Sequence, residues 1–208
     1  MTFVRLAGCN APALGLGCVT WCDTRESWRP GAGKDLTVEE IIELVRLPRL
    51  CLTGGEPLLQ AEAVTELARA AHERQTRVHL ETNGTLPPPT VPSSAAEWRL
   101  EGGRLFDWVV VSPKPPEYFI APAWVGLVDE LKLLVDEHLD EATAERVVAA
   151  HPGARVSVQP VAHSAGLRAE AGSSLPWPSW SAERAVALVR EHPDWRLSLQ
   201  LHKILGLP

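Results

Sequence analysis

Three of the four cysteines of the chain lie close together near its start, at Cys9, Cys18 and Cys22. Three soft sulfur ligands on one short loop are typical of a metal or iron–sulfur site rather than of a packed core. A four-iron cluster held by three thiolates leaves one iron without a protein ligand, and a reactant can bind there. The pattern favours a [4Fe–4S] cluster over two alternatives, a zinc ion and inert thiols.

The zinc alternative lacks a nearby fourth ligand, because a structural zinc site normally has four protein ligands. The next candidates along the chain are Cys51 and His72. Cys51 stands alone in an apolar segment, so we expect a small buried side chain there. Thr24 offers a hard oxygen of the kind that Mg²⁺ prefers, although a loop hydroxyl satisfied within the protein is the alternative.

A glycine-rich turn, Gly54-Gly55-Glu56-Pro57, offers backbone N–H groups to a ligand and a carboxylate to an ammonium group. On its own this pattern is only a turn before a helix, but beside a cluster it suits an amino-acid-like ligand. Arg5 on a half-buried strand would need an anionic partner such as a substrate carboxylate. Lys114 and Lys132 either face the site or are solvated, and His202-Lys203 is as readily structural as functional.

Short apolar runs predict seven strands, and helical periodicity predicts four helices among them. The predicted strands are 2–6, 50–52, 78–81, 108–111, 130–135, 155–158 and 196–201. The predicted helices are 38–45 after a Thr37 capping box, 57–71, 141–150 and 181–191 with Ser181 as its cap. Loops are expected at 23–35, at the proline-rich 86–94 and at 162–180.

Strands that alternate with helices imply a mainly parallel sheet. Polar and glycine-rich groups follow the strands in turn: Cys9, Gly54 to Glu56, Asn83-Gly84, Ser112 to Lys114 and Gln159. The carboxyl ends of parallel strands lie on one face of such a fold, which is where its sites are built. We therefore expect these distant segments to meet in one site.

Composition restricts the class of protein. The chain has 208 residues, 45 % of them hydrophobic, and a net charge of −6, which fits one globular domain over 1–208 and does not favour a nucleic-acid partner. No apolar run is long enough for a membrane span, and the first residues lack the features of a signal peptide. A cytoplasmic location, where thiols stay reduced, is the expectation.

Eight segments together resemble the 7-carboxy-7-deazaguanine synthase family, radical S-adenosylmethionine (SAM) enzymes of queuosine biosynthesis. They are FVRLAGCN, WCDT, TGGEP, ETNGT, VVSPKPP, DELKLLV, VSVQPV and LSLQLHKILGLP, and the resemblance runs from residue 3 to residue 208. It implies an α/β fold, a partial TIM-like barrel of six mainly parallel strands with a reduced set of helices, as a homodimer.

The resemblance also implies an activity. The family is a carbon–nitrogen lyase that converts 6-carboxy-5,6,7,8-tetrahydropterin to 7-carboxy-7-deazaguanine with release of ammonia, on the pathway to a modified tRNA base. Its cofactors are a [4Fe–4S] cluster, SAM and Mg²⁺, with a flavodoxin or ferredoxin as the usual reductant. Reductive cleavage of SAM gives a 5′-deoxyadenosyl radical, which takes the hydrogen from C6 of the pterin.

Site residues carried over by the resemblance fall into three groups. Cys9, Cys18 and Cys22 would hold the cluster, and Thr24 would bind Mg²⁺ together with the substrate carboxylate. The SAM surface would comprise Trp21, Cys22, Asp23, Gly55, Ser112, Pro113, Lys114, Gln159, Pro160, Val161 and Ala162, with Glu56 and Glu81 as secondary candidates. The substrate contacts would be Arg5, Thr53 and Pro208, the last through a chain-terminal carboxylate.

Two departures from the family pattern keep other functions open. The family usually has a Gln-Gly-Glu-Gly segment before the first strand, whereas this sequence starts at Met1, so a truncated start or weaker substrate binding is expected. The cysteine spacing is C-x8-C-x3-C instead of the common C-x3-C-x2-C. The alternatives are a radical SAM activase that acts on a partner protein and a non-catalytic iron–sulfur or SAM-binding protein.

Overall fold

Seven strands form one parallel sheet in a computed structural model that describes residues 1–89, 99–100, 103–162 and 176–205. Together with a separate pair of two-residue strands, the described strands in chain order are β1 (Thr2–Leu6), β2 (Arg49–Gly54), β3 (Arg77–Thr82), β4 (Arg99–Leu100), β5 (Gly103–Arg104), β6 (Trp108–Val111), β7 (Glu130–Val135), β8 (Arg155–Pro160) and β9 (Arg196–Leu197). The sheet order is β1-β2-β3-β6-β7-β8-β9, and β4 pairs antiparallel with β5. The predicted α/β fold with a parallel, incomplete barrel is confirmed, with seven strands in place of six.

The four helices that the periodicity predicts lie between the strands, and two short helices near the two ends of the described chain were not predicted. They are α1 (Ala11–Leu14), α2 (Val38–Leu44), α3 (Ala61–Glu73), α4 (Glu141–Ala149), α5 (Ser179–Glu191) and α6 (Leu201–Ile204), with 3₁₀ turns at Gly17–Thr20, Arg25–Ser27, Pro57–Gln60 and Pro122–Trp124. The capping box of α2 is present: Glu40 N–H donates to the Thr37 hydroxyl at 3.3 Å and Thr37 N–H donates to the Glu40 carboxylate at 2.8 Å. Within the described residues, no helix is long and apolar enough to cross a bilayer.

One hydrophobic core joins the sheet to its helices. Alternate residues of the central strands are fully buried and pack with the apolar faces of α3, α4 and α5. The largest contributions to this core come from Leu50, Leu52, Leu67, Leu80, Phe106, Trp124, Leu131 and Leu133. This packing fixes the strand ends that carry the polar groups.

The last predicted strand, 196–201, is wrong beyond Leu197. β9 pairs with β8, and Ser198 N–H still donates to the Val158 carbonyl at 2.8 Å. β8 then ends at Pro160, which has no N–H to continue the pairing. The chain turns instead into α6, so Leu201–Ile204 form a short helix in place of the end of the predicted strand.

The predicted cap of α5 is also wrong. The helix begins at Ser179, and Ser181 lies inside it, fully buried. Its hydroxyl donates to the Val135 carbonyl at 2.6 Å and accepts from Val161 N–H at 3.0 Å. Ser181 therefore links the helix to the ends of β7 and β8. The predicted loops 86–94 and 162–180 fall mostly outside the described residues.

Candidate functional site

A cavity of about 290 Å³ lies at the carboxyl ends of the parallel strands. Segments that are up to about 200 residues apart in sequence meet in its lining, as the strand-end argument predicts. The lining contains thirteen of the site residues carried over by the resemblance: Arg5, Cys9, Cys18, Trp21, Cys22, Asp23, Thr24, Thr53, Gly55, Glu81, Ser112, Lys114 and Gln159.

The three loop cysteines are free thiols that all line this cavity. Cys18 lies in the 3₁₀ turn Gly17–Thr20, and Cys22 N–H donates to the Cys18 carbonyl at 2.8 Å, so one helical turn places both on one side of the loop. This turn accommodates the x3 spacing. Burial raises the pKa of Cys9, and it raises the pKa of Cys18 to about 11, so both thiols would lose their protons on binding a metal.

The spread of the sulfur atoms fits a cluster better than one ion. Three ligand atoms that share one metal ion must lie close together. Among the described His, Cys, Asp and Glu residues, the group of three whose ligand atoms all lie within 4.8 Å of one another is Glu141, Glu145 and His192, which lies outside the cavity. The cysteines do not form such a set, whereas a zinc ion with Zn–S of about 2.3 Å would hold its sulfurs about 3.8 Å apart. A cluster places each thiolate on a different iron, and this chemistry suits the wider spread.

Cys51, the fourth cysteine, lies in β2 and is only 2 % exposed. It does not line the cavity, and burial raises the pKa of its thiol to about 12. The prediction of a small buried side chain is confirmed.

The glycine-rich turn packs directly against the cysteine loop. A Cβ on Gly55 would lie 2.4 Å from the Gly8 carbonyl oxygen and 2.6 Å from the Cys9 Cβ. Gly55 N–H donates to the Leu6 carbonyl at 3.2 Å and Glu56 N–H to the Gly8 carbonyl at 2.8 Å. Only glycine permits this approach, which fixes the backbone that presents Cys9.

Glu56 does not face the cavity, so the expectation that its carboxylate meets a ligand ammonium needs correction. It is fully buried and accepts hydrogen bonds from Leu58 N–H at 3.0 Å, Thr82 Oγ1 at 2.8 Å and Asn83 N–H at 2.8 Å. Burial raises the pKa of this carboxyl, against the effect of these hydrogen bonds. Its oxygens are committed to joining the ends of β2 and β3.

Cationic side chains lie on the β6 and β7 side of the cavity. Lys114 Nζ donates to Ser112 Oγ at 2.7 Å, and Ser112 Oγ donates to the Lys132 carbonyl at 2.9 Å. Lys132 Nζ lies 3.1 Å from a Glu81 carboxylate oxygen. Burial lowers the pKa of Lys114. Both lysines line the cavity, which answers the question left open by the sequence.

Arg5 differs from its expected half-buried position. β1 is an edge strand, so Arg5 is exposed at the mouth of the cavity beside buried Thr53, its partner in the strand register. Within the described part of the chain, Arg5 forms none of the ion pairs, which leaves its guanidinium available to an anion.

Residues of the segment 200–203 also reach the cavity: the sequence left the role of His202-Lys203 open and did not single out Gln200. Gln200, His202 and Lys203 line the cavity, and Asp23 Oδ2 accepts hydrogen bonds from Gln200 Nε2 at 2.9 Å and from Lys203 Nζ. Burial opposes ionisation of Asp23, but these donors prevail and lower the pKa of its carboxyl. Asn83 also lines the cavity; its position after β3 was the available sequence signal.

Four residues expected on the SAM surface do not line the cavity: Pro113, Pro160, Val161 and Ala162. All four are buried, and Val161 N–H is bonded to Ser181. The structure thus brings Gln159 alone of its segment into the cavity. Pro208 lies outside the described residues.

Comparison with known proteins places the chain among enzymes of one kind. Residues 16–117, which include Cys18 and Cys22 but not Cys9, match the Radical SAM superfamily. The chain is similar to 7-carboxy-7-deazaguanine synthase of Methanospirillum hungatei (34 % identity over 99 % of this chain and 77 % of that protein). It is also similar to the synthase of Hyperthermus butylicus, at 34 % identity over 99 % of this chain and 84 % of that protein. The synthase of Synechocystis matches at 32 % identity over 99 % of this chain and 83 % of that protein.

A solved structure shares the architecture. The crystal structure of QueE from Escherichia coli matches with a TM-score of 0.65 over 95 % of this chain and 84 % of that chain, at 19 % identity. At this identity the match supports the fold alone.

Proposed function

Since the chain belongs to the 7-carboxy-7-deazaguanine synthase family, we propose that it converts 6-carboxy-5,6,7,8-tetrahydropterin to 7-carboxy-7-deazaguanine and ammonia. The observation that carries this proposal is the meeting of Cys9, Cys18 and Cys22 with the glycine-rich turn and Lys114 in one cavity. These are the parts needed to hold a cluster beside an amino acid group.

Cys9, Cys18 and Cys22 would hold the [4Fe–4S] cluster. When bound, the cluster and SAM would supply the one-electron cleavage chemistry by which a hydrogen is taken from C6 of the substrate. The protein holds these groups in place: the Gly55 contact fixes the Cys9 backbone, and Trp28 Nε1 donates to Cys22 Sγ at 3.3 Å. This hydrogen bond holds the Cys22 sulfur in place within the loop.

The SAM surface would lie between the glycine-rich turn and the lysine side of the cavity. The Lys114 ammonium, hydrogen-bonded to Ser112, would pair with the SAM carboxylate, since a partly buried cation is stabilised by an anion. Trp21 and Gln159 complete this part of the lining.

The substrate would bind on the side of Thr24, Arg5 and Thr53. Thr24 Oγ1 is 3.6 Å from Cys22 Sγ, so a Mg²⁺ ion on this hydroxyl would hold the substrate carboxylate next to the cluster. The exposed Arg5 guanidinium at the cavity mouth would neutralise the same carboxylate. A flavodoxin- or ferredoxin-type reductant and a homodimer are part of the proposal by likeness to the family.

Turnover of anaerobically reconstituted protein tests this proposal. With SAM, Mg²⁺, a reductant and the carboxytetrahydropterin, we expect 7-carboxy-7-deazaguanine and one ammonia per product. Thr24→Val should raise the Mg²⁺ requirement, whereas Thr24→Ser, which keeps the hydroxyl, should not. Cleavage of SAM with no product from the pterin would favour the activase alternative, and a cluster with no SAM cleavage would favour the non-catalytic one.

A further inference from the structure

Two side chains of the segment 200–203 are hydrogen-bonded to one carboxylate of the cysteine loop, that of Asp23. Asp23 directly follows Cys22, and its Oδ2 accepts from Gln200 Nε2 at 2.9 Å and from Lys203 Nζ. Asp23 is separated from Gln200 and Lys203 by about 180 residues in sequence, yet all three side chains line the cavity. We refer to Asp23, Gln200 and Lys203 as the Asp23 clamp.

The clamp fixes which way the Gln200 amide points. A carboxylate accepts hydrogen bonds only, so the amide nitrogen must face Asp23 and the amide oxygen must face away from it. That oxygen, Oε1, is buried and has no hydrogen-bond partner among the described residues. A buried acceptor without a donor is costly, so its presence in the lining of a ligand cavity points to a donor on a bound molecule.

We infer that Gln200 accepts a hydrogen bond from a ring N–H of the substrate, and that Asp23 and Lys203 are positioning residues for that contact. This inference rests on the proposed function, because the reduced pterin carries several ring and amino N–H donors. The clamp begins at Asp23, next to Thr24, where the substrate carboxylate is proposed to bind. A substrate held at Thr24 by its carboxylate would therefore lie beside the Gln200 oxygen.

The same oxygen would discriminate between substrates. A ring that presents an acceptor at this position would meet a second acceptor and leave both unpaired, which costs more than a missing contact. Gln200 would thus select for an N–H-bearing ring.

The test uses Gln200→Met in cluster-loaded protein. This change keeps the length of the side chain and removes both the acceptor and the amide donor to Asp23, so Lys203→Met, which removes a donor to Asp23 alone, shows how much the lost donor contributes. We expect a roughly tenfold higher KM for the carboxytetrahydropterin, the effect of one lost hydrogen bond of ordinary strength, with kcat unchanged. The KM for SAM should change less than the KM for the pterin, because the lost acceptor faces the substrate. Gln60→Met is the matched control: Gln60 Nε2 donates to the Ala7 carbonyl, outside the cavity, so both KM values should stay the same.

Lys203→Met tests the positioning role without touching the acceptor. Loss of its bond to Asp23 should raise the KM for the pterin about threefold, and Lys203→Arg, which can still donate, should restore most of it. A merely structural role would instead lower the iron content or the melting temperature of both variants equally. Iron per chain and melting temperature are therefore measured on each.

Two results would overturn the inference: a raised KM for SAM in Gln200→Met with the pterin KM unchanged, or no change in either. If the wild type binds the pterin but yields no product, the proposed reaction fails. The Gln200 contact is then tested by equilibrium dialysis, which compares the affinity of the wild type and of Gln200→Met for the pterin. A weaker affinity in the variant would support the contact and an equal affinity would overturn it. If the wild type does not bind the pterin, both proposals fail.

Discussion

Gly55 is the residue at which the cysteine loop and the glycine-rich turn come into contact. A Cβ on Gly55 would lie 2.4 Å from the Gly8 carbonyl oxygen and 2.6 Å from the Cys9 Cβ, so a methyl group there would push the Cys9 backbone away. The need for glycine follows from this contact rather than from a special backbone angle. It explains why a GG pair, which alone suggests only a turn, is part of the site.

Gly55→Ala should therefore impair cluster binding more than overall folding. We expect less than half of the wild-type iron per chain after anaerobic reconstitution and a melting temperature that is a few degrees lower than that of the wild type. The reason is that the added Cβ contacts backbone atoms, which must shift. Gly33→Ala is the control, because a Cβ on Gly33 meets nothing within 4 Å. Equal iron contents in the two variants would contradict this account.

His151 is a buried side chain with no part in the site. It is 5 % exposed, its Nδ1 has no hydrogen-bond partner among the described residues, and burial lowers its pKa from the ordinary value of 6.5. The unfolded chain therefore takes up this proton at a higher pH than the folded protein does. Folded stability is lost as the pH falls below about 6.5, because protonation then favours the unfolded state.

Replacing His151 should flatten this pH dependence. Chemical denaturation at about pH 7.5 and about pH 5.5 should show a larger loss of stability for the wild type than for His151→Gln over the same interval. His138→Gln, at a side chain that is 48 % exposed, is the comparison and should follow the wild type. If the wild type and His151→Gln lose the same stability, burial of His151 does not contribute to the pH dependence.

At the scale of the elements, Ser181 connects α5 to two strands. Its hydroxyl satisfies the Val135 carbonyl and the Val161 N–H, the last groups of β7 and the first after β8. Loss of the hydroxyl would leave two buried backbone groups without partners, although the helix itself would remain.

Ser181→Ala should destabilise the protein by about 1–3 kcal/mol, the usual cost of unsatisfied buried polar groups. Glu183→Ala, at an exposed position on the same helix, should change the free energy of unfolding by less than about 0.5 kcal/mol. Urea denaturation of both variants provides the comparison. A loss in Ser181→Ala as small as that in Glu183→Ala would show that the two hydrogen bonds do not matter.

Most elements could be predicted from the sequence because their signals are local. The strand bounds agree with the predicted apolar runs within one or two residues for β2, β3, β6, β7 and β8. The predicted capping box of α2 is also present. Two of the errors, Ser181 and the end of β9, depend on contacts across the fold. Ser181 resembles a cap in sequence but bonds to strands far away, and β9 stops because its neighbour ends in Pro160.

At the scale of the whole molecule, the parallel sheet determines where the site forms. Because all seven strands run in the same direction, the groups that follow them collect at one edge, and sequence order was enough to predict that they meet. The clamp between Asp23 and the chain end could not be predicted in this way. Gln200 and Lys203 lie in the segment LSLQLHKILGLP, but their contact with Asp23 depends on the turn into α6, which the sequence did not predict.

The central claim is that Cys9, Cys18 and Cys22, and not Cys51, hold one [4Fe–4S] cluster in the strand-end cavity. The most direct measurement is the iron content per chain after anaerobic reconstitution of the wild type and of the four single Cys→Ser variants. The account predicts about four iron atoms in the wild type and in Cys51→Ser, and a large loss in each of the other three. An unchanged iron content in Cys18→Ser, or a wild type that binds zinc but no iron, would contradict it.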